Sequence, residues 1–291
     1  MNPDTEQLID QFKALADPVR LRIVVLCSQG ECSVSELTKV LSQSQPRISQ
    51  HVKLLCDTGL VERFRDGHFV FYRLPAHGDA AAQLRRLLSM LPEEEPDFLH
   101  DLTELRDLRG TAPPDQNDED RPLHRALVEL TVAAPLGDLL DIGSGRGRLL
   151  KLLASRARRA VGVDIDANAR RFARAGVLLA GLPNCSLRQG DMYSLPFENG
   201  EFDTVIVDDV LVRAERPVDV LAEALRTIQP AGRLLILTAC GDQGPVTLAA
   251  ELADWCREAG LRLSPPRAVP AKHPRWLLAV ATRSQSSKAA A

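Results

Sequence analysis

Between residues 42 and 55 the chain reads SQSQPRISQHVKLL, and its apolar residues Ile48, Val52 and Leu55 fall at i, i+4 and i+7 on one helical face. Ser49, Gln50 and Lys53 then point the other way, with Arg47 and Gln45 at the flank and tip, and Ser44 is the expected cap. Upstream, Ser33 and Glu36 have the spacing of a capping box ahead of Leu37, Val40 and Leu41. A short helix therefore precedes the first across a tight turn at residues 42–44. Downstream, residues 60–64 and Phe69–Arg73 read as short strands joined through Asp66-Gly67, a dipeptide suited to a hairpin turn. Two further helices are predicted at the front: residues 5–16 with Leu8, Phe12, Leu15 and Ala16 on one stripe, and a second running from Asp17-Pro18 to Cys27. After the hairpin, Leu84, Leu87, Leu88 and Leu91 give residues 80–91 helical spacing.

From Pro92 the pattern changes. Glu93, Glu94, Glu95 and Asp97 come at once, Leu99, Leu102, Leu105 and Leu108 suggest one amphipathic helix, and residues 110–122 read as a solvated acidic tether. Beyond it, apolar or β-branched runs at 138–142, 160–165, 185–190, 202–208 and 232–239 alternate with helical stretches starting near Gly145, Asp166 and Pro217. That alternation predicts a doubly wound sheet with helices on both faces. A helix at 247–260 and two last strands at 261–270 and 276–282 add an antiparallel edge to a mostly parallel, seven-stranded sheet. The expected division is residues 1–91, an acidic helical linker over 92–122, and a second domain over 123–291.

With 291 residues the chain has room for two domains, and 45% hydrophobic content with a net charge of -3 is an ordinary soluble composition. No apolar run approaches the ~20 residues of a membrane helix, and the N-terminus lacks a basic region followed by an apolar core, so a cytoplasmic protein is expected. The overall acidity is no bar to nucleic acid, because over residues 47–73 Arg47, Lys53, Arg63, Arg65 and Arg73 outnumber Asp57, Glu62 and Asp66. Six scattered cysteines without CxxC spacing read as reduced thiols and predict no metal site. A metalloid or redox role for Cys27, Cys32 and Cys56 stays open.

Hydroxyl, amide and guanidinium groups at the start of a firmly docked helix are what base edges in a major groove require. Ser44, Gln45, Arg47, Ser49, Gln50, His51 and Lys53 are therefore the candidates for base and backbone contact. Arg63, Arg65, His68 and Arg73 on the hairpin are placed to touch phosphates. The stretches FKALADPVRLRIVVLC, ECSVSEL and SQSQPRISQHVKLLCDTGLVERFRDGHFVFYRL together resemble the ArsR family of winged-helix repressors over residues 8–75. The resemblance implies a homodimer on a palindromic operator, released by an inducer, with the first helix and residues 80–91 forming the dimer contact. Many metal-sensing members carry a cysteine pair in a stretch similar to residues 31–37. Here Ser33 and Ser35 stand at the corresponding positions, and hydroxyls are poor ligands for soft metals.

In the second domain, DIGSGRG (residues 141–147) follows the first strand and opens a helix. Glycines let backbone approach a ligand closely, and the spacing, acidic-x-GxGxG, differs from the GxGxxG of dinucleotide folds. It resembles motif I of class I S-adenosylmethionine-dependent methyltransferases, and the ordered motifs resemble that class over residues 123–283. The cofactor candidates are Asp141, Gly143, Ser144, Gly145 and Gly147 in the loop. Asp164 is placed for the ribose hydroxyls with Ile165 as a wall for adenine, Asp191 with Met192 for the adenine amino group, and Asp208 lies after the fourth strand. Asp209 is the one weak candidate for a catalytic base, and a solvated loop carboxylate is the other reading of it.

Three readings follow from the sequence: a repressor whose second domain senses S-adenosylmethionine or S-adenosylhomocysteine, a regulator that also methylates a small molecule, and a methyltransferase using the winged helix only to dimerise. The polar helix face and basic hairpin disfavour the third, since a dimer surface would carry apolar residues there.

Overall fold

Helix α1 (Thr5–Leu15) ends just before Asp17, whose carboxylate accepts the amide hydrogen of Arg20 and, with Pro18 next, starts α2 (Pro18–Ser28). These elements belong to a computed structural model that describes residues 5–66, 69–75, 79–92, 95–109, 121–241 and 244–284. Two compact units divide the chain. The first takes in Met1–Pro113 and Arg171–Ser186, the second Pro114–Arg170 and Leu187–Ala291.

In the first unit the capping box is present in both directions. The Glu36 amide donates to Ser33 Oγ at 3.2 Å and the Ser33 amide donates to Glu36 Oε2 at 2.7 Å, fixing the start of α3 (Val34–Val40). Helix α4 (Gln45–Asp57) follows across the turn, and Ile48, Val52 and Leu55 are the residues it buries. The hairpin consists of β2 (Glu62–Asp66) and β3 (Phe69–Arg73), antiparallel with Phe64 opposite Phe71. Its first strand starts two residues later than the apolar run suggests, because Leu60 and Val61 turn into the core instead. A third strand, β1 (Cys32–Ser33), pairs with β3; two residues carry no periodicity, so the sequence could not announce it. Helix α5 (Asp79–Leu88) follows, then α6 (Pro96–Arg109).

Of the α6 leucines Leu99, Leu102, Leu105 and Leu108, only Leu105 is buried, in the core of the first unit. Charge adds to that anchor. Arg22 of α2 donates to Asp101 through Nε at 2.6 Å, and Arg109 donates through Nε to Glu36 at 2.7 Å and through Nη2 to the Glu31 carbonyl at 2.5 Å. Helix α6 thus falls within the first unit, where the expected division set it in a linker over residues 92–122.

The second unit opens with α7 (Arg121–Ala133), to which the sequence assigned no element. Then come β4 (Asp138–Ile142), α8 (Arg148–Leu153), β5 (Arg159–Asp164), α9 (Ala167–Leu179), β6 (Cys185–Gln189), β7 (Phe202–Asp208), α10 (Pro217–Thr227) and β8 (Ile228–Ala239). Helix α11 (Gly244–Glu258), β9 (Leu261–Leu263), β10 (Arg267–Val269) and β11 (Trp276–Arg283) close the chain. The sheet order is β10-β11-β8-β7-β4-β5-β6 with β9 also on β11. The β4-β5, β4-β7 and β7-β8 pairs are parallel, and β11 is antiparallel to β8. Eight strands stand where seven were expected, because Pro265-Pro266 divides the predicted 261–270 strand into β9 and β10. Strand β4 is buried at every residue, so the loop that leaves it is anchored in the middle of the core.

Ile48 is fully buried and Ser49 beside it is exposed, so substitutions at the two should separate. Ile48→Ala should lower unfolding free energy by ~2–5 kcal/mol in a denaturant titration, whereas Ser49→Ala should change it by less than ~0.5 kcal/mol.

Candidate functional sites: a polar helix face and a glycine loop

Around α4 the sequence-predicted contact residues come together. Ser49, Gln50 and Lys53 are exposed on the side away from the buried stripe, and Ser44, Gln45 and Arg47 are exposed at its flank and tip. Ser44 occupies the cap position in extended backbone, but its hydroxyl makes no capping hydrogen bond, contrary to expectation. Pro46 in the first turn lacks an amide hydrogen, so the helix start has one donor fewer to satisfy. His51 departs from the set. It is half buried, and burial first, then Arg20 and Arg47, pushes its imidazole below the usual range against the pull of Asp17.

On the hairpin, Arg63 and Arg65 are exposed and share one face by strand alternation. Arg73 does not join them, because it pairs with Glu62 at 3.2 Å and lies over the Phe64 ring. His68 lies outside the described residues.

In the second unit, β4 delivers Asp141 into the core and the chain then turns through three glycines of positive φ. Gly143 (φ 69) has no room for more: a Cβ there would run into Cγ2 of Val210. Gly145 (φ 52) is different, since nothing lies near a Cβ except the Gly143 carbonyl oxygen at 3.9 Å, so its outer side is open. Gly147 (φ 75) caps α8. The loop is braced from β5, with the Ser144 amide donating to the Val163 carbonyl at 2.9 Å and the Gly145 amide to Asp164 Oδ2 at 2.8 Å. Asp164 Oδ1 accepts from the Asp166 amide, so the carboxylate predicted to meet a ribose already holds the loop and the start of α9.

Two buried oxygen atoms in the loop, Asp141 Oδ1 and Ser144 Oγ, have no hydrogen-bond partner among the described residues. Ile165 is 69% exposed, an apolar side chain set in the open just after the strand. Asp191 and Met192 follow β6, where Asp191 bridges to Ser194 and its Oδ1 accepts from the Tyr193 amide. Unpartnered buried oxygen atoms, an open glycine and an exposed apolar wall fit a ligand that brings polar groups and a flat ring system, as an adenosyl-sulfur compound does.

Electrostatics give the loop its sign. Burial first, then Asp208 and Asp164, hold the Asp141 carboxyl well above the usual carboxylate range, and Arg148 offsets this only in part. Arg148 pairs with Asp208 at 3.0 Å, and its guanidinium lies 5.0 Å from the Trp276 ring centroid. Neither Arg148 nor Trp276 was singled out from the sequence, because strand-end stacking across 128 positions leaves no local signal. Asp209, the weak candidate for a catalytic base, stands at positive φ, and its carboxylate is paired with Arg213 and accepts from the Ala239 amide at 3.1 Å.

Among the cysteines left open, Cys27 and Cys32 are buried and Cys56 is half buried. The hydrogen bond to Cys32 and burial push the Cys27 thiol well up, and burial raises Cys56, so neither favours the thiolate that binds metalloids or reacts.

Comparison with known proteins is consistent with this layout. The family described as "Bacterial regulatory protein, arsR family" matches residues 17–63, and that described as "Methyltransferase domain" matches residues 140–236. The arsenical resistance operon repressor of Escherichia coli K12 is 49% identical over 70 residues, 24% of this chain and 60% of that protein. The biofilm growth-associated repressor of Agrobacterium fabrum is 39% identical over 85 residues, 28% of this chain and 72% of that protein. A solved SAM-dependent methyltransferase from Aquifex aeolicus superposes with a TM-score of 0.50 at 19% identity, over 62% of this chain and 97% of that one, a likeness of fold. The chain spans 60% of the length of the Escherichia coli repressor it matches.

Two measurements probe the loop. Gly143→Ala should lower the melting temperature clearly more than Gly145→Ala, because both meet backbone strain of ~1–2 kcal/mol but only the first collides with Val210. The folded chain also holds the Asp141 proton more tightly than the unfolded chain, so the stability it contributes is complete at acid pH and lost as pH rises through the raised value. Asp141→Asn fixes the neutral form. Its stability relative to wild type should therefore grow as pH rises from the ordinary carboxylate range towards the raised value, and a constant difference would contradict the raised carboxyl.

Proposed function

We propose, for a chain that belongs to the arsR family of bacterial regulatory proteins and carries a methyltransferase domain, that it is a dimeric repressor that binds operator DNA and takes S-adenosylmethionine or S-adenosylhomocysteine as effector. The observation that carries the DNA half is the division of α4: Ile48, Val52 and Leu55 buried, Arg47, Ser49, Gln50 and Lys53 exposed. A helix clamped on one face holds its polar groups at fixed spacing, which is what base-edge hydrogen bonding demands. Arg63 and Arg65 on the hairpin supply phosphate contacts and set the register.

Self-association is supported by α1 and α5. Leu8, Phe12, Leu84, Leu87 and Met90 line an apolar groove of about 210 Å³, and Phe12 and Met90 are 55% and 79% exposed. An apolar stripe left open in this way suits a second copy of the chain, and a two-fold dimer reads a palindrome with two α4 helices. This reading puts the protein in the cytoplasm with its DNA.

For the effector half, Asp141 Oδ1, Ser144 Oγ and the carboxylate of Asp164 would hold the amino and hydroxyl groups of the ligand, with Ile165 and Met192 beside its ring. S-adenosylmethionine carries a sulfonium where S-adenosylhomocysteine has a neutral thioether, so the carboxylates near the loop would tell the two apart by charge. Repression would respond only through a difference in affinity between two states.

The alternative is a methyltransferase acting on a small molecule. Methyl transfer from a sulfonium needs chiefly in-line positioning, and the methyltransferase domain favours it. Asp209, engaged by Arg213 and the Ala239 amide, offers that reading no ready base, though in-line positioning does not require one.

A titration of the protein on labelled duplex from upstream of its own coding sequence decides. With either sulfur ligand added, DNA affinity should change by about fivefold or more. Gln50→Ala should weaken specific binding by ~1–3 kcal/mol with the ligand response intact. Insensitivity to both ligands would remove the effector role, and methyl transfer to a small acceptor by the free protein would restore the alternative.

A further inference from the structure

Asp66 ends β2 immediately before the hairpin turn and is 3% exposed, although its neighbours Arg63 and Arg65 stand in the open. A carboxylate is rarely so buried without a charged partner. The partner is Arg174 of α9, which donates through Nη2 to Asp66 Oδ2 at 2.6 Å and through Nε to Glu31 Oε2 at 3.1 Å. Its guanidinium also lies 4.0 Å from the centroid of the Phe71 ring. Phe71 in turn stacks on Phe64 across the hairpin, their centroids 5.8 Å apart.

All these residues belong to the first unit. Strand alternation puts Phe64 and Asp66 on the face that Arg174 holds, and Arg63 and Arg65 on the opposite face. The hairpin is extended on one side only by the two-residue β1, and β2 is the sheet's outer strand, so what covers one face bears on how the other is presented. An exposed ion pair would do this poorly, but here both ends are desolvated and the guanidinium plane is stacked as well. Only arginine meets both demands. Its fork reaches two carboxylates while its flat face covers a ring, which a lysine ammonium cannot do.

We propose that Arg174 is a positioning residue for DNA binding: from α9 it clamps the hairpin so that Arg63 and Arg65 meet phosphates. The proposal rests on the DNA-binding reading given above.

The test uses the full chain. Removing Arg174 alone strands two buried carboxylates, so the informative variant is Arg174→Met combined with Glu31→Gln and Asp66→Asn, which removes the clamp and its charges together. Measured on the same duplex, its affinity should fall about tenfold, and the slope of log affinity against log salt should become shallower by about one to two. Binding of S-adenosylhomocysteine by calorimetry and cooperative unfolding should stay as in the wild type.

A purely structural role predicts that the triple variant, once folded, recovers wild-type affinity and slope, and that result overturns the proposal. Should the triple variant fail to fold, Arg174→Lys keeps the charge without the fork or the stacking plane. It should then show the same loss in part, and a wild-type slope would again overturn the clamp. A wild type that binds no duplex sinks the DNA reading and the clamp with it. A wild type that binds duplex with no ligand shift sinks the effector reading, and the slope comparison still decides whether Arg174 sets the hairpin.

Discussion

Helix α4 can hold Arg47, Ser49, Gln50 and Lys53 in a fixed order only because Ile48, Val52 and Leu55 are sealed beneath them. Burying each such side chain is worth ~1.5–3 kcal/mol, enough together to prevent a short polar helix from fraying. The elements around it serve that docking. The capping box fixes where α3 begins, and the Gln11 side chain of α1 reaches the Thr58 carbonyl at the far end of α4. Two ion pairs, Arg22 with Asp101 and Arg109 with Glu36, then fasten α6 across α2 and α3.

The glycine loop depends on the opposite condition, an unmet demand. Asp141 is buried near Asp208 and Asp164, and Arg148 offsets their negative charge in part. Asp141 Oδ1 and Ser144 Oγ have no hydrogen-bond partner among the described residues, in a loop that β4, buried throughout, holds in place.

What the sequence revealed and what it hid divide along physical lines. Features with a short repeat were legible: the i, i+4, i+7 stripe of α4, the Ser33–Glu36 capping box, Asp17-Pro18, and the glycine spacing after β4. Long-range pairings were not. Arg174 meets Asp66 across 108 positions and Arg109 meets Glu36 across 73, and nothing in the composition of α6 or α9 distinguishes those arginines from their neighbours. Individual roles also shifted where a residue had a nearer partner: Arg73 is drawn to Glu62, His51 is half buried beside Asp17, and Asp209 is taken by Arg213. Periodicity reports the face a side chain lies on, and it is silent about which neighbour claims its charge.

The stacking of Arg148 on Trp276 carries one more consequence. The chain has two tryptophans, and Trp255 is packed against the apolar core of the second unit. Trp276 instead lies under a guanidinium whose other neighbour is Asp208 at the glycine loop. A nearby cation alters the emission of an excited indole, so movement of Arg148 would register as a change in intrinsic fluorescence. The loop thus carries its own optical reporter, distant in sequence from the duplex-facing helix and readable without any label.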